Sequence, residues 1–433
     1  MTQPLRPFDT SRRLLSRARK TIPLGSQTFS KSYLQFPPEI APQFIEHAKG
    51  ATVTDVDGHS YTDFVNGLLS VLLGYGDPDV DAAIAKQLGS GISFSMPHRL
   101  EMIVAEQLVD MIPCAQSVRF GKNGSDATAG AVRVARAYTG RDHVAVCGYH
   151  GWQDWYIGST ARHLGVPQAT RELTHSFTYN NIFSLKRLFD DPDISLAAVV
   201  MEPMNVDYPA PGFLKAVREL CDRHGTVLIF DETITGFRFH EGGAQALFNV
   251  TPDLATFGKG LANGMPLSAV VGQRDLMAVM DDIFFSFTMG GETLSLAAAD
   301  AVLTKLRNED VLPHIHGLGD RLMAGLKAQH DAISSPNWLK ICGHPSWSFA
   351  MLSDAPSADV WQLKTLYIQE MVARGYLTLG TQNLSFAHSD ADIDGFLQAF
   401  CEVTGLMAGA IEASSVSEHL RCKPIEPVFR VRG

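Results

Sequence analysis

The sequence predicts an α/β protein in which a mostly parallel central sheet forms a large domain and both chain termini build a smaller α+β domain. In the middle of the chain, short apolar runs alternate with helical patterns, at Val144–Cys147, Ala197–Met201 and Val227–Phe230. Such runs indicate parallel strands that helices cover on both faces. The 433 residues exceed what one small core needs, so we expect two domains.

A different pattern begins near residue 310 and predicts the smaller domain. Long amphipathic helices alternate there with strand candidates, which is typical of an α+β arrangement. The opening residues are expected to join this domain, with a hairpin around Asp57 and Gly58. We predict a small domain from residues 1–60 and 311–433 and a large domain from residues 61–310. The predicted C-terminal elements are helices Leu318–His330, Val360–Ala373 and Asp390–Met407 and strands Ser348–Leu352 and Leu384–Ala387.

Charge and composition exclude several classes of protein. The formal net charge of -10 argues against nucleic-acid binding, which needs a basic surface. The six cysteines include no Cys-x-x-Cys pair, and this fits a reducing compartment. No apolar run reaches the ~18 residues of a membrane span, and the basic segment from Arg12 to Lys20 is interpreted as a folded helix rather than a transit peptide. We expect a cytoplasmic protein, and the histidine spacings predict no metal.

Two strands of the predicted sheet end in residues that could carry chemistry. In parallel sheets, ligands bind beyond the carboxyl ends of the strands. Val227–Phe230 is followed by Asp231 and Glu232, which in isolation are more often loop or capping acids. Val144–Cys147 is followed by the segment GYHGW, whose Tyr149 alone would be interpreted as a core residue.

A glycine-rich turn precedes a predicted helix and offers a site for a phosphate. Gly121, Asn123, Gly124 and Ser125 leave backbone N–H groups free at a helix N-terminus, where anions bind. Alone, an ordinary capped turn explains the pattern, and the spacing is not that of a nucleoside triphosphate loop. Ser125 is predicted as the N-cap, and Gly140 as the C-terminal stop. The predicted apolar stripe comprises Ala127, Ala131, Val134, Ala135 and Tyr138.

Lys259 stands between two glycines and between two predicted buried strands, Leu254–Phe257 and Ala269–Val271. A lone Gly-Lys-Gly turn usually holds a solvated lysine. Together with a phosphate site, an aromatic ring and a strand-end carboxylate, however, it matches the needs of pyridoxal 5'-phosphate (PLP). The lysine amine forms a Schiff base with the PLP aldehyde, and the carboxylate pairs with the ring nitrogen. The sequence therefore predicts PLP as the cofactor.

The segment LIFDETITGFRFHEGGAQALFNVTPDLATFGKGLANGMPLSAVVG resembles the signature region of the class III, fold type I, PLP-dependent aminotransferases. It is most similar to the branch that contains glutamate-1-semialdehyde 2,1-aminomutase. The resemblance extends from about Leu15 to the segment SFAHSDADID, nearly the whole chain. It implies a fold type I enzyme that works as a homodimer.

The resemblance also implies roles for individual residues. Lys259 would be the catalytic residue that carries PLP, and Asp231 would contact the ring nitrogen. Gly124 and Ser125 would bind the phosphate, and Tyr149 would stack on the ring. Thr288, in the segment FFSFTMGGE, would reach the phosphate of the cofactor in the neighbouring subunit.

Departures from the family pattern bear on the reaction. Thr233 replaces a valine that usually lies beneath the ring, so a hydroxyl changes the local polarity while the shape is kept. Lys31 stands where the aminomutase has an arginine for the substrate carboxylate, and a lysine holds a carboxylate less specifically. The segment LGTQN near Gly380 replaces an expected glutamate. These departures argue against the aminomutase reaction itself.

We therefore expect an aminotransferase that moves an amino group between an amino acid donor and an aldehyde or ketone acceptor. The segments GSQTFSKSYLQFP and CGYHGWQDWYIG look closer to relatives of amino-sugar and surface-polysaccharide pathways, which suggests a sugar-derived acceptor. The alternatives are an aminomutase or epimerase on the same site and, from another class, a non-catalytic PLP-fold binding protein. Trp152 is predicted to bind substrate, although Trp152, Trp155 and Tyr156 fit loop packing equally well.

Three phenylalanines favour a subunit interface beside Thr288. Phe284, Phe285 and Phe287 precede the Gly-Gly turn, and this aromatic content exceeds what an exposed loop tolerates, whereas interface cores favour aromatic residues. The alternative is that the three rings pack inside their own subunit.

Overall fold

A computed structural model describes residues 6–334 and 336–427. The strands are β1 (Ile45–Lys49), β2 (Thr52–Asp55), β3 (Ser60–Asp63), β4 (Ser117–Gly121), β5 (His143–Cys147), β6 (Thr174–Ser176), β7 (Leu196–Met201), β8 (Val227–Asp231), β9 (Leu254–Phe257), β10 (Ser268–Gly272), β11 (Leu339–His344), β12 (Trp347–Leu352), β13 (Tyr376–Leu377) and β14 (Thr381–Asn383).

The helices are α1 (Asp9–Ala18), α2 (Asn66–Leu69), α3 (Pro78–Leu88), α4 (Arg99–Met111), α5 (Gly124–Thr139), α6 (Asp154–Ile157), α7 (Gln168–Arg171), α8 (Ile182–Asp190), α9 (Phe213–His224), α10 (Gly243–Leu247), α11 (Arg274–Met277), α12 (Thr293–Asn308), α13 (Val311–Ala332), α14 (Val360–Ala373), α15 (Asp390–Glu412) and α16 (Val416–His419). Short 3₁₀ turns lie at Pro23–Gly25, Phe29–Lys31, Lys259–Ala262 and Ala278–Asp281.

The described residues form two compact units. One contains residues 6–77, 313–334 and 336–427, and the other contains residues 78–312. The domain division predicted from the sequence stays a prediction, but its boundary between residues 60 and 61 would cut strand β3. Because β3 pairs with β13 in parallel, through Thr62 and Tyr376, residues 61–77 lie in the same unit as residues 6–60.

The unit of residues 78–312 is built on a seven-stranded sheet in the order β4-β10-β9-β8-β7-β5-β6. Neighbouring strands of this sheet pair in parallel, except that β10 runs antiparallel to both β9 and β4. Every residue of β7, β8, β9 and β10 is buried, as expected for strands covered on both faces. The predicted α/β architecture with a mostly parallel sheet is confirmed.

The antiparallel strand β10 decides which loops meet. In its register, Ser268 faces Gly121 at the end of β4, and Ala269 faces Phe257 at the end of β9. Strands β4 and β9 therefore run in the same direction. As a result, the carboxyl ends of β4, β9, β8, β7 and β5 lie along one edge of the sheet.

Helix α5 begins two residues earlier than the predicted N-cap implies. Its N-cap is Asn123 and not Ser125, because Asn123 and Asp126 form a reciprocal capping box in which each side chain accepts the backbone N–H of the other. The predicted stop at Gly140 is confirmed, with the left-handed backbone of a C-cap. The predicted stripe is right except at Tyr138, which is 53% exposed because the helix leaves the core in its last turn.

The other unit contains two smaller sheets, β1-β2-β3-β13 and β11-β12-β14. The predicted hairpin around Gly58 is present as β2 and β3, and the predicted helix near Arg12 is α1. The strand predicted at Leu384–Ala387 is wrong. The strand lies just before it, at β14, because Thr381–Asn383 is the segment that pairs with β12.

Residues 6–334 and 336–427 contain neither a membrane-spanning helix nor a metal-binding cluster. No helix there is long and apolar enough to cross a membrane. No group of three or more histidine, cysteine, aspartate or glutamate side chains is arranged there to hold a metal ion.

Candidate active site

The end of β8 presents a buried carboxylate to the carboxyl edge of the sheet. Asp231 is 5% exposed, and its Oδ2 lies 2.9 Å from His150 Nδ1. Its Oδ1 accepts hydrogen bonds from the backbone N–H of Thr233 at 3.1 Å, the Thr233 hydroxyl at 2.6 Å and the Thr256 hydroxyl at 3.2 Å. Burial raises the pKa of Asp231, but the hydrogen bonds and the charge of His150 outweigh it and hold the pKa below its usual value.

A second buried carboxylate, Glu202, follows the neighbouring strand β7 and was missed from the sequence. It is 6% exposed, and its Oε2 accepts hydrogen bonds from the backbone N–H of Tyr149 at 3.1 Å and from Asn205 Nδ2 at 2.7 Å. Burial, and then the nearby charge of Asp231, raise its pKa. Glu202 therefore fixes the loop that carries Tyr149, and when it is ionised it adds negative potential beside Asp231.

Lys259 opens the 3₁₀ turn after β9 and has a left-handed backbone, with φ of 43°. Burial lowers the pKa of its amine to about 8, although the carboxylates of Glu202 and Asp231 counteract this shift. Arg238, which is 1% exposed and was also missed from the sequence, lowers the lysine pKa further. A lysine with such a pKa is partly neutral near neutral pH, as a nucleophile or base must be.

The N-terminus of α5 lies beside the loop after β5. The Ser125 hydroxyl accepts the backbone N–H of Trp152 at 3.2 Å. Gly151 makes this approach possible, because its φ is 103° and a Cβ placed on it would lie 2.3 Å from Ser125 Oγ. The N–H groups of the first helical turn, at Gly124 and Ser125, have no acceptor inside the helix, so they can receive an anion.

Thr233 links the helix terminus to the lysine turn. A Cβ placed on Gly124 would lie 3.0 Å from Thr233 Cγ2, and one placed on Gly258 would lie 3.3 Å from the same methyl group. The predicted phosphate turn, the carboxylate of Asp231 and the turn of Lys259 therefore all border one threonine side chain.

The aromatic residues after β5 divide into exposed and buried positions. Tyr149 is 50% exposed, and burial, followed by the charge of Asp231, raises its pKa. Trp152 is 65% exposed, whereas Trp155 and Tyr156 are buried in the core of the unit. Of the trio considered from the sequence, Trp152 is therefore accessible to a ligand, and the other two are packing residues.

Glu232 is not a member of this cluster. It is fully buried, and its carboxylate accepts hydrogen bonds from the Thr235 hydroxyl and from the backbone N–H groups of Ala244 and Gln245, at 2.6 to 2.9 Å. The Gln245 side chain adds a longer contact of 3.3 Å. Glu232 therefore holds the loop between β8 and α10 in place.

Two predicted residues lie elsewhere. Thr288 lies in an exposed turn of the unit of residues 78–312, and no described contact joins it to the cluster around Asp231. Lys31 belongs to the other unit, where it is exposed and lines a cavity of about 550 Å³. Of the predicted site residues, the structure brings together Gly124, Ser125, Tyr149, Trp152, Asp231, Thr233 and Lys259.

The donors and acceptors at the sheet edge fit PLP. The N–H groups at the start of α5 suit a phosphate, the ionised carboxylate of Asp231 suits a protonated ring nitrogen, and the amine of Lys259 suits an aldehyde. The buried hydroxyl of Ser268, which begins β10 at the same edge, has no hydrogen-bond partner among the described residues. A buried hydroxyl without a hydrogen-bond partner is consistent with a sheet edge that binds a ligand.

Comparisons with known proteins agree with this chemistry. Residues 36–339 match the family aminotransferase class-III. The chain is 32% identical over 399 residues to 3-aminobutyryl-CoA aminotransferase of Cloacimonas acidaminovorans, covering 90% of this chain and 95% of that one. It is 34% identical over 424 residues to glutamate-1-semialdehyde 2,1-aminomutase of Nitratidesulfovibrio vulgaris, covering 91% and 98%. A transaminase solved with PLP bound superposes with a TM-score of 0.86 at 27% identity, covering 94% and 100%.

The chain belongs to the class-III aminotransferases. Its fold is that of the fold type I PLP-dependent transaminases, and it is an enzyme whose cofactor is PLP. The resemblance, fold class and cofactor predicted from the sequence are confirmed.

Proposed function

We propose that this enzyme moves an amino group between an amino acid donor and an aldehyde or ketone acceptor. The observation that carries the proposal is the position of Lys259, whose amine has a pKa of about 8 in the same cluster as the ionised carboxylate of Asp231. A sugar-derived acceptor, suggested by the segments GSQTFSKSYLQFP and CGYHGWQDWYIG, stays a prediction.

Each residue of the cluster has a distinct task in this proposal. When bound, PLP supplies the aldehyde that takes up the amine and the ring that accepts electrons from the reacting carbon. Asp231 keeps a proton at the ring nitrogen, and the first turn of α5 holds the phosphate through Gly124 and Ser125. Tyr149 lies against the ring, and Trp152 contacts the substrate. Lys259, neutral once free, carries the proton to and from the reacting carbon.

The assignment of Lys259 is tested by Lys259→Ala. We expect the variant to bind PLP at most non-covalently and to lose amino transfer completely. The measurements are the mass of borohydride-reduced protein, which reports a cofactor adduct on residue 259, and the rate with an amino donor and a carbonyl acceptor. Substantial turnover by the variant would refute the role of Lys259, and a wild-type protein with adduct but no turnover would favour a non-catalytic binding protein.

A second candidate function is an intramolecular amine transfer. It is favoured by the similarity to glutamate-1-semialdehyde 2,1-aminomutase over most of the chain. The two reactions differ in their need for a second molecule, because an aminotransferase stops after a half reaction when no acceptor is present. Sustained turnover of one substrate without an added acceptor would therefore establish the aminomutase or epimerase reaction instead.

We also propose that the enzyme is a homodimer. Two neighbouring segments form an apolar face, defined by Ile92, Phe94, Met96 and Met289, and Ser93 Oγ donates to Met289 Sδ at 3.5 Å. Met96 is 76% exposed and Met289 51%, which is unusual for apolar side chains outside an interface.

The sequence left open whether Phe284, Phe285 and Phe287 lie at a subunit interface or pack inside their own subunit, and the structure separates them. Phe285 and Phe287 pack against the core of their own unit, with their ring centroids 4.8 Å apart. Phe284 is 80% exposed, and Arg133 Nη1 donates to its carbonyl at 2.6 Å. Of the three phenylalanines, only Phe284 is therefore proposed to contribute to the interface.

The role of Thr288 in the site of the partner is tested by mixing two impaired chains, Lys259→Ala and Thr288→Val. If Thr288 serves the partner's site, a mixed dimer places both lesions in one site and leaves the other site intact. Activity should then return to half of the sites in the mixed dimers. Failure of mixing to restore activity, with mixed dimers verified by native mass spectrometry, would place Thr288 in the site of its own chain.

A further inference from the structure

The two oxygens of the Asp231 carboxylate are unequally occupied. Oδ1 accepts three hydrogen bonds, two of them from Thr233 and one from Thr256. Oδ2 has one described partner, His150 Nδ1 at 2.9 Å. An ionised carboxylate has about four lone-pair sites, two on each oxygen, so Oδ1 is saturated and Oδ2 keeps one site.

The shortest of these contacts comes from the side chain of Thr233. Its hydroxyl lies 2.6 Å from Oδ1, whereas the backbone N–H of Thr233 and the hydroxyl of Thr256 lie at 3.1 and 3.2 Å. The backbone and side-chain donors of Thr233 form a fork on a single oxygen. A fork restricts rotation of the carboxylate about its Cβ–Cγ bond, so the direction of the free lone pair on Oδ2 is fixed.

We propose that Thr233 is a positioning residue that saturates Oδ1 of Asp231, so that Oδ2 is the oxygen that accepts the N–H of the PLP ring. This inference rests on the proposed function. The hydroxyl of Thr233 thereby determines how well Asp231 holds the ring proton, without touching the reacting atoms.

The hydroxyl and the methyl group of Thr233 have different contacts, so their effects can be tested separately. The hydroxyl bonds Asp231, whereas the Cγ2 methyl group faces Gly124 and Gly258. Thr233→Val keeps the shape of the side chain and removes the hydroxyl. Thr233→Ser keeps the hydroxyl and removes the methyl group, and it is therefore the matched control.

The experiment loads wild-type protein and both variants with PLP labelled with ¹⁵N at the ring nitrogen. The ¹⁵N chemical shift reports protonation of the ring, and titration of the cofactor-free protein gives the Kd for PLP. We expect wild type and Thr233→Ser to share the shift of a protonated ring. Thr233→Val should move toward the unprotonated value and bind PLP about tenfold more weakly, as expected when a hydrogen bond to a charged group is lost. Thermal unfolding verifies that both variants are folded.

Two results would overturn the inference. In one, Thr233→Val keeps the wild-type ¹⁵N shift and Kd, which would mean that the hydroxyl does not position Asp231. In the other, Thr233→Ser loses the protonated signal as Thr233→Val does, which would assign the effect to the methyl group. A wild-type protein that takes up no PLP would instead refute the proposed function itself, and the inference with it.

Discussion

Asp231 and Glu232 are neighbours in sequence and both are buried, yet they belong to two different regions of the molecule. Asp231 ends β8 and faces the cluster with Lys259. Glu232 turns away and accepts the N–H groups of Ala244 and Gln245 at the start of α10. Each carboxylate has several hydrogen-bond donors, so the number of donors does not distinguish the site from the framework of the loop.

The difference lies in the kind of partner. Burial raises the pKa of both acids, but that of Asp231 falls below its usual value and that of Glu232 stays above it. The neighbours of Glu232 are neutral donors, whereas Asp231 faces His150, which can carry a positive charge. For Asp231, the charge of His150 adds to the hydrogen bonds, and together they keep the buried carboxylate ionised.

The largest expected effect comes from Asp231→Asn. The amide keeps the shape but no longer favours a protonated PLP ring, so transition-state stabilisation should fall by about 3 kcal/mol, which is roughly a hundredfold in rate. Single-turnover kinetics with the amino donor measure this loss. A rate close to that of the wild type would remove Asp231 from the active site.

Glu232→Gln should lower the stability of the protein and leave the reaction rate unchanged. A buried glutamine places an amide NH₂ against N–H donors, so we expect a loss of stability of about 2 kcal/mol. The rate per folded molecule should stay near the wild-type value. Thermal unfolding of the cofactor-free protein and an active-site titration measure the two quantities. The comparison of the two acids fails if Glu232→Gln lowers the rate as strongly as Asp231→Asn.

The smallest expected effect concerns pH. The charge of Glu202 raises the pKa of Lys259, so Glu202→Gln should move that pKa below about 8. Only the neutral amine reacts with an aldehyde, so the rate of PLP capture by the cofactor-free protein should rise as pH passes through this pKa. The midpoint should lie at a lower pH in Glu202→Gln than in the wild type. An unchanged or higher midpoint would mean that Glu202 does not act on the lysine electrostatically.

The sequence predicted those parts of the fold that depend on local patterns. The buried strands β5, β7 and β8 were recognisable from apolar runs without a polar interruption, and β9 from an apolar run that contains only Thr256, a β-branched residue that suits a strand. The N-cap of α5 was placed at Ser125 rather than Asn123 because both residues suit the position. Only the reciprocal bonding of Asn123 and Asp126 decides between them, and it depends on backbone geometry.

Residues that change the pKa of Lys259 without binding the cofactor were harder to predict from the sequence. Glu202 and Arg238 were missed because a single acid or base beside an apolar run is usually a solvated residue. Their importance arises from burial close to Lys259, which depends on the order of the strands. One signal was available for Glu202, since it follows Leu196–Met201 as Asp231 follows the apolar part of β8.

The antiparallel strand β10 has a consequence for how the enzyme is synthesised. It joins β4 to β9, and the pairing of Gly121 with Ser268 brings together segments far apart in the chain. Long-range pairings form late, because a large loop must close before the contact is made. A nascent chain released before Gly272 would therefore lack the strand between the phosphate turn and the lysine. We expect cofactor capture to begin only after that residue has left the ribosome, which would make PLP binding a marker that all seven strands of this sheet have been synthesised.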